Sequence, residues 1–194
     1  MTCVLGYKGG GYIVLGGDSA VTADTLRSLS DRPKVFKSGK FVFGYAGSIR
    51  SGQLLESLAC NTKFKSKLKT VPKDAFFFLV EVFVPALRKH LKSSGDLGAD
   101  ENRDLGSVFI VGVGNRLFRI DMDFQVVEPK DPYTAIGSAE SLVMGVFRSV
   151  EIQSEGWAYE TNPTPEHIVS LALDVACYHD SGCAGPFHFV STKE

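Results

Sequence analysis

The sequence predicts a four-layer α+β sandwich, in which two sheets face each other and each outer face carries a pair of helices. Three observations predict it. The elements read in the order strands, two helices, strands, two helices, strand. The long helix in the first helical pair, around residues 76–84, is apolar nearly all round, so it must be covered on more than one side. No linker, repeat or low-complexity stretch divides the 194 residues, so a single domain covers 1–194.

Each element has a local reason. Residues 2–7 read as a strand, and Lys8-Gly9-Gly10-Gly11 as the turn that returns the chain through an apolar strand at 12–15. That strand runs into Gly16-Gly17-Asp18-Ser19. The hairpin places residue 2 and residues 17–18 at the same end of two neighbouring strands. Residues 21–30 read as polar and irregular. Pro33 opens a second hairpin, turned at Ser38-Gly39 and returning through an apolar strand at 40–45. Ser48 or Ser51 caps the helix that carries Leu54, Leu55 and Leu58. Lys63, Lys65, Lys67 and Lys69 read as a solvated stretch. Pro72 opens a helix over 73–93, kinked at Pro85. With helix layers on only one side of each sheet, the second cover for its apolar surface is expected to be a neighbouring subunit.

Residues 94–104 read as a polar loop. A meander follows at 107–113, 116–121 and 124–127, then a short strand at 133–136. Ser138 is a natural N-cap for a helix over 139–150. Thr164 and Pro165 start another, which carries Ile168, Leu171, Ala172 and Val175 at helical spacing and ends near Asp180. The last strand covers 187–190.

Composition bounds the function. Hydrophobic residues make up 44% and charged residues 22%, with a formal net charge of −1. That is ordinary globular composition, with no basic field for nucleic acid or an anionic membrane surface. The longest apolar stretch, 75–87, is interrupted by Glu81 and Pro85 and is too short to span a bilayer. The N-terminus lacks a charged region followed by an apolar run. The expectation is a cytoplasmic protein whose four cysteines are reduced.

The chemistry points to the first residues. Thr2 is small enough that an aminopeptidase would trim Met1 before it. Trimming leaves a hydroxyl and a free α-amine on one residue, and such an amine titrates at roughly 7.7–8.0 in model peptides. A threonine hydroxyl paired with its own amine is a recognised activated nucleophile. Across the hairpin Asp18 lies close to this N-terminus, and Gly47 offers a backbone N–H unobstructed by a side chain.

Thr2-Cys3-Val4 behind a single Met, Gly16-Gly17-Asp18-Ser19, Lys34-Val35, Tyr45-Ala46-Gly47-Ser48, Ile136-Gly137-Ser138 and the turn 178–186 together resemble the proteasome β-subunit family of N-terminal nucleophile (Ntn) hydrolases. The sequence is particularly similar to the HslV-like peptidases and to small bacterial and phage proteasome-like proteins. The resemblance implies an αββα sandwich and a ring-forming threonine peptidase with a chamber. It assigns Thr2 as nucleophile and base, Asp18 and Lys34 as the charged pair beside it, and Gly47 as oxyanion donor. Ser138 and Asp180 orient the N-terminus and relay its proton. It also implies a homo-oligomeric ring, peptides or unfolded proteins as substrates, and room for an ATPase unfoldase partner. No cofactor is required; a structural cation would sit on backbone carbonyls near Cys177, Asp180 and Cys183. Three residues depart from the family pattern: Cys183 stands where a Ser is usual, Ala184 where Gly often is, and Ala139 follows Ser138 in place of Gly.

Other readings fare worse. Cys177, His179, Cys183 and His188 have a spacing that matches no usual structural zinc pattern. A Cys183–His188 dyad is weaker still, and the glycines at 9–11 precede a strand, not a helix, so they form no phosphate loop. Two alternatives stay open: a non-catalytic proteasome-like shell or scaffold, and an Ntn amidohydrolase acting on a small amide.

Overall fold

The computed structural model describes residues 2–23, 26–96, 106–156 and 163–193; most of the loop expected at 94–104 lies outside them. Two sheets form the centre. One has the order β10-β1-β2-β11, built from Cys3–Gly9 (β1), Tyr12–Gly17 (β2), Tyr133–Gly137 (β10) and His188–Ser191 (β11). The other has the order β5-β6-β7-β8-β9, built from Val35–Ser38, Phe41–Gly47, Ser107–Val113, Arg116–Ile120 and Val126–Val127. All their pairings are antiparallel.

Three apolar layers separate four structural layers. Val4, Leu15, Val35, Ala46 and Ile110 fill the space between the sheets. Phe41, Phe43, Phe109 and Phe118 pack outward against Leu55 of α1 (Ile49–Cys60), Phe83 and Leu87. Leu5, Val14 and Ala135 pack against Val143 and Phe147 of α5 (Glu140–Gly156) and Ala172 and Leu173 of α6 (Pro165–His179). This is the αββα sandwich the sequence predicts. Strands buried on both faces explain why β1, β2, β6 and β7 read as near-continuous apolar runs.

The caps follow local chemistry. Ser48 Oγ accepts the Ser51 N–H at the start of α1, and Thr164 Oγ1 accepts the His167 N–H at the start of α6. Between α1 and the long helix lie the single turn α2 (Thr62–Lys65) and a 3-10 turn, where Phe64 and Leu68 are buried and Lys63, Lys65 and Lys67 face water.

Three expectations are corrected. Residues 21–30 are not irregular: Ala20–Ala23 (β3) and Leu26–Leu29 (β4) pair antiparallel as a separate two-stranded sheet. Leu26 and Leu29 are exposed, so no burial pattern marked these strands. The long helix begins later, capped by Asp74, whose carboxylate accepts the Phe76 and Phe77 N–H groups. It runs through Ala75–Phe78 (α3), a π-helical turn at Leu79–Phe83 and Val84–Ser93 (α4). Pro85 has no N–H to give and its ring crowds the carbonyl four residues back, so the distortion falls in the turn before it. Phe77 and Val80 of this helix are exposed within the single chain. The strand expected from 124 starts at Val126, because Phe124 takes a positive φ of 68° to close the turn from Asp121.

Candidate active site

The register of the first sheet gathers the predicted groups. Val4 pairs with Gly17 in β2 and Cys3 pairs with Gly137 in β10. The start of β1 is thus flanked by the residue before Asp18 and the residue before Ser138. Thr2 itself is buried, at 7% exposure.

Asp18 is the hub. Its side chain is fully buried and Lys34 is 3% exposed; Lys34 Nζ donates to Asp18 Oδ1 at 2.7 Å and to the Ala20 carbonyl at 2.5 Å. The Cys3 N–H donates to Oδ1 at 2.9 Å, and the N–H groups of Ala20 and Ala184 donate to Oδ2 at 2.9 and 3.3 Å. Four donors on one carboxylate offset the desolvation that burying an ion pair costs. Oδ1 carries both Lys34 and the N–H of the residue after Thr2. The ammonium is therefore fixed beside the residue that follows Thr2.

A second set of groups reaches Thr2 from the other side. The Thr2 carbonyl accepts the Ser138 N–H at 2.9 Å. The Thr2 backbone nitrogen, the future α-amine if Met1 is removed, donates to Ser138 Oγ at 3.4 Å. Ser138 Oγ donates in turn to Asp180 Oδ2 at 2.6 Å, while the Gly182 N–H donates to Asp180 Oδ1 at 2.8 Å. Burial works against the charge of Asp180, but hydrogen bonds from Ser138, Gly182 and the Cys183 thiol outweigh it and hold the carboxyl below the ordinary aspartate value. Ser138 therefore serves Thr2 and Asp180 with its side chain, beyond any capping of α5. Gly137 makes this approach feasible. It takes a φ of 106°, and a Cβ there would lie 2.0 Å from the Thr2 carbonyl oxygen.

Gly47 ends β6 with a φ of 105°. A Cβ there would lie 2.3 Å from the Gly106 carbonyl oxygen, so the backbone in this conformation requires glycine. The next N–H, of Ser48, is held by the Gly106 carbonyl and Ser107 Oγ.

Cys3 and Cys183 are both buried beside this cluster. A hydrogen bond with Cys183, then burial, push the Cys3 thiol well above its ordinary value. Burial, then Cys183, push Cys177 up to about 12. Neither is a thiolate nucleophile near neutrality. Three carbonyls of the 180–184 turn already accept hydrogen bonds: Asp180's from the Cys183 N–H, Ala184's from the Ser19 N–H, and Ser181's from the Arg27 guanidinium. Among the described residues no three His, Cys, Asp or Glu side chains form a metal-binding group.

The structure thus brings Thr2, Asp18, Lys34, Ser138 and Asp180 into one network. Sequence reasoning missed its backbone members, the N–H groups of Cys3, Ala20, Gly182 and Ala184. The only local hint was the run of small residues on either side of Asp18 and Cys183.

The sequence profile described as "Proteasome subunit" matches residues 1–153. The chain belongs to the proteasome subunit family. Among curated relatives of this proteasome-type chain, the ATP-dependent protease subunit HslV of Sulfurovum sp. (strain NBC37-1) is 29% identical over 180 residues, covering 90% of this chain and 89% of the relative. The same subunit of Caldicellulosiruptor saccharolyticus is 27% identical over 178 residues, covering 90% and 89%. Among solved structures, Thiobacillus denitrificans BPH in complex with epoxomicin superposes with a TM-score of 0.75 at 14% identity, covering 97% of each chain. Eukaryotic HslV from Trypanosoma brucei gives 0.66 at 20% identity, covering 97% of this chain and 98% of that one. These superpositions establish the fold as the αββα sandwich; the profile match and the HslV relatives make the chain HslV-like and proteasome-type.

Proposed function

We propose that this chain is a threonine peptidase that acts through Thr2 after removal of Met1. The observation that carries the reading is the hydrogen bond from the Thr2 nitrogen to Ser138 Oγ, with Ser138 bound to Asp180 and the buried Asp18–Lys34 pair tied to the next peptide N–H. Once freed, the amine takes the hydroxyl proton as the oxygen attacks a peptide carbonyl. Lys34 favours negative charge on that oxygen and, as a like charge, favours the neutral amine. Asp18 holds Lys34 in place. The Gly47 N–H is the donor for the tetrahedral oxyanion, a contribution of about 3 kcal/mol at comparable sites. As the intermediate collapses, the α-ammonium returns its proton to the leaving nitrogen and the amine half of the substrate departs; the freed amine then takes a proton from the water that hydrolyses the ester and restores the Thr2 hydroxyl.

Relatives named as subunits of an ATP-dependent protease support a wider reading: a homo-oligomeric ring enclosing the site, peptide or unfolded-protein substrates, an ATPase unfoldase partner and a cytoplasmic location. The exposed Phe77 and Val80 are in keeping with a neighbour in such a ring. Among the described residues no helix is long and apolar enough to cross a membrane. The remaining readings are an assembly protein with an idle nucleophile and an amidohydrolase for small amides.

The test is the intact mass of the purified protein before and after a peptide epoxyketone, a reagent that closes a ring on a hydroxyl and an amine of one N-terminal residue. Loss of Met1 and one adduct per chain are expected, with the adduct and turnover absent in Thr2→Ala. A retained Met1, or a free Thr2 that takes no adduct, moves the assignment to the assembly protein.

A further inference from the structure

Arg119 bridges the two sheets beside Ser138. It lies on β8, two residues beyond Leu117, whose side chain fills the layer between the sheets. Alternation along a strand therefore turns Arg119 toward the first sheet. Its Nη1 donates to the Ala135 carbonyl at 3.2 Å and to Glu140 Oε1 at 2.6 Å, and its Nε donates to Asp121 Oδ1 at 2.6 Å.

The two outer contacts bracket the segment that faces the N-terminus. Ala135 lies three residues before Ser138, in β10; Glu140 lies two residues after it, at the first position of α5. Between them, Gly137 carries its left-handed φ and Ser138 makes its contacts to Thr2 and Asp180. The Thr2 nitrogen-to-Ser138 Oγ distance is already 3.4 Å, long enough that a small displacement of Ser138 would break it. A planar guanidinium with several fixed donors can hold a strand end and a helix start together; an ammonium cannot match that fork. Without the guanidinium, the Asp121 and Glu140 carboxylates would share the space with no cation between them, and repulsion would push the start of α5 away from β8.

We infer that Arg119 is a positioning residue of the active site: it clamps the β10–α5 junction so that Ser138 stays in register with the N-terminal threonine. This rests on the peptidase reading above. Arg119 touches neither Thr2 nor substrate in this account, and its effect passes through Ser138.

The experiment is a double-mutant cycle on Arg119 and Ser138 in the full chain. Its readouts are the second-order rate of epoxyketone inactivation across pH 6–9 and the thermal midpoint. Arg119→Ala should slow inactivation about 10–100-fold, as expected when the geometry around a reacting group loosens by about an ångström. The pH at half-maximal rate should move with it. In a Ser138→Ala background, the same change should slow inactivation less than twofold, because the residue through which it acts is gone. Arg119→Lys should recover only part of the rate. Equal losses in both backgrounds, or a folded Arg119→Ala that reacts at the wild-type rate and pH, overturn the inference. If Arg119→Ala does not fold, Glu140→Gln, which weakens one arm of the clamp at constant volume, replaces it in the same cycle with the same criteria. A wild-type chain that takes no adduct overturns the peptidase reading, and this inference with it. A reactive wild type with additive losses overturns this inference alone.

Discussion

Asp18 and Lys34 form one ion pair, yet removing either partner should not cost the same. Asp18→Ala leaves the Lys34 ammonium buried with the Ala20 carbonyl as its remaining acceptor in the pair's network. Breaking a buried pair in that way costs about 3–5 kcal/mol. It also takes the acceptor from the N–H groups of Cys3, Ala20 and Ala184, which adds about 1 kcal/mol or more where water cannot reach them. Lys34→Met keeps the volume and removes the cation, while the carboxylate retains three N–H donors, so its cost should be about 2–3 kcal/mol. For a chain of this size, with each kcal/mol worth about 2–4 °C, the midpoint should fall by about 10–20 °C for Asp18→Ala and about 5–10 °C for Lys34→Met. The assay is thermal unfolding by circular dichroism at pH 7.5 and one fixed protomer concentration, since assembly makes midpoints concentration-dependent. Inactivation by epoxyketone is measured in parallel, and both variants should lose it almost entirely, because the pair acts as a unit. Equal midpoints, or a larger fall for Lys34→Met, would refute the view that Asp18 is held by four donors and Lys34 chiefly by Asp18.

Three further outcomes are expected. Gly137→Ala drives a Cβ against the Thr2 carbonyl oxygen, so it should cost about 2 kcal/mol or more and abolish epoxyketone labelling; a stable, reactive variant would show that the N-terminus does not rest on this turn. The Asp180 carboxyl is held below its ordinary value, so its stabilising contribution is complete above the unfolded value of about 3.9 and disappears as pH falls through the folded one. Asp180→Asn should therefore flatten the acid side of the midpoint-versus-pH curve below about pH 4, and a curve parallel to wild type would contradict it. Alkylation of the native protein by iodoacetamide at pH 7.5 should modify the exposed Cys60 and spare the buried Cys3 and Cys183 and the half-buried Cys177, giving a single adduct by mass.

Much of the site was legible because its chemistry is local at each end. Gly16-Gly17-Asp18 ends the return strand of a hairpin whose first strand starts at Thr2, so the proximity of the two followed from turn residues and strand length alone. Lys34 came with its own strand start after Pro33. What the sequence did not reveal are the contacts that close over long chain separations. The Ala184 N–H meets Asp18 across 166 residues, and Arg119 meets Ala135 and Glu140 from the opposite sheet. Neither leaves a periodic or turn signature. Strands β3 and β4 were hidden for a different reason: a surface hairpin with exposed Leu26 and Leu29 has no buried face to impose alternation. The sequence marked Pro85 as the site of a kink, whereas the distortion is a π turn just before it, because proline marks where a helix must yield while the distortion falls in the preceding turn.

The four donors on Asp18 also set an order of assembly. Cys3 and Ala20 lie close to Asp18 along the chain, but Ala184 lies 166 residues beyond it, and its carbonyl holds the Ser19 N–H. The strand that brings this turn home, β11, pairs with β2. A ribosome-bound chain would carry Thr2 without this support until the turn at Ala184 had been added. The proposed nucleophile precedes its supports along the chain, so a nascent chain that has not reached that turn carries a threonine without the full network around it.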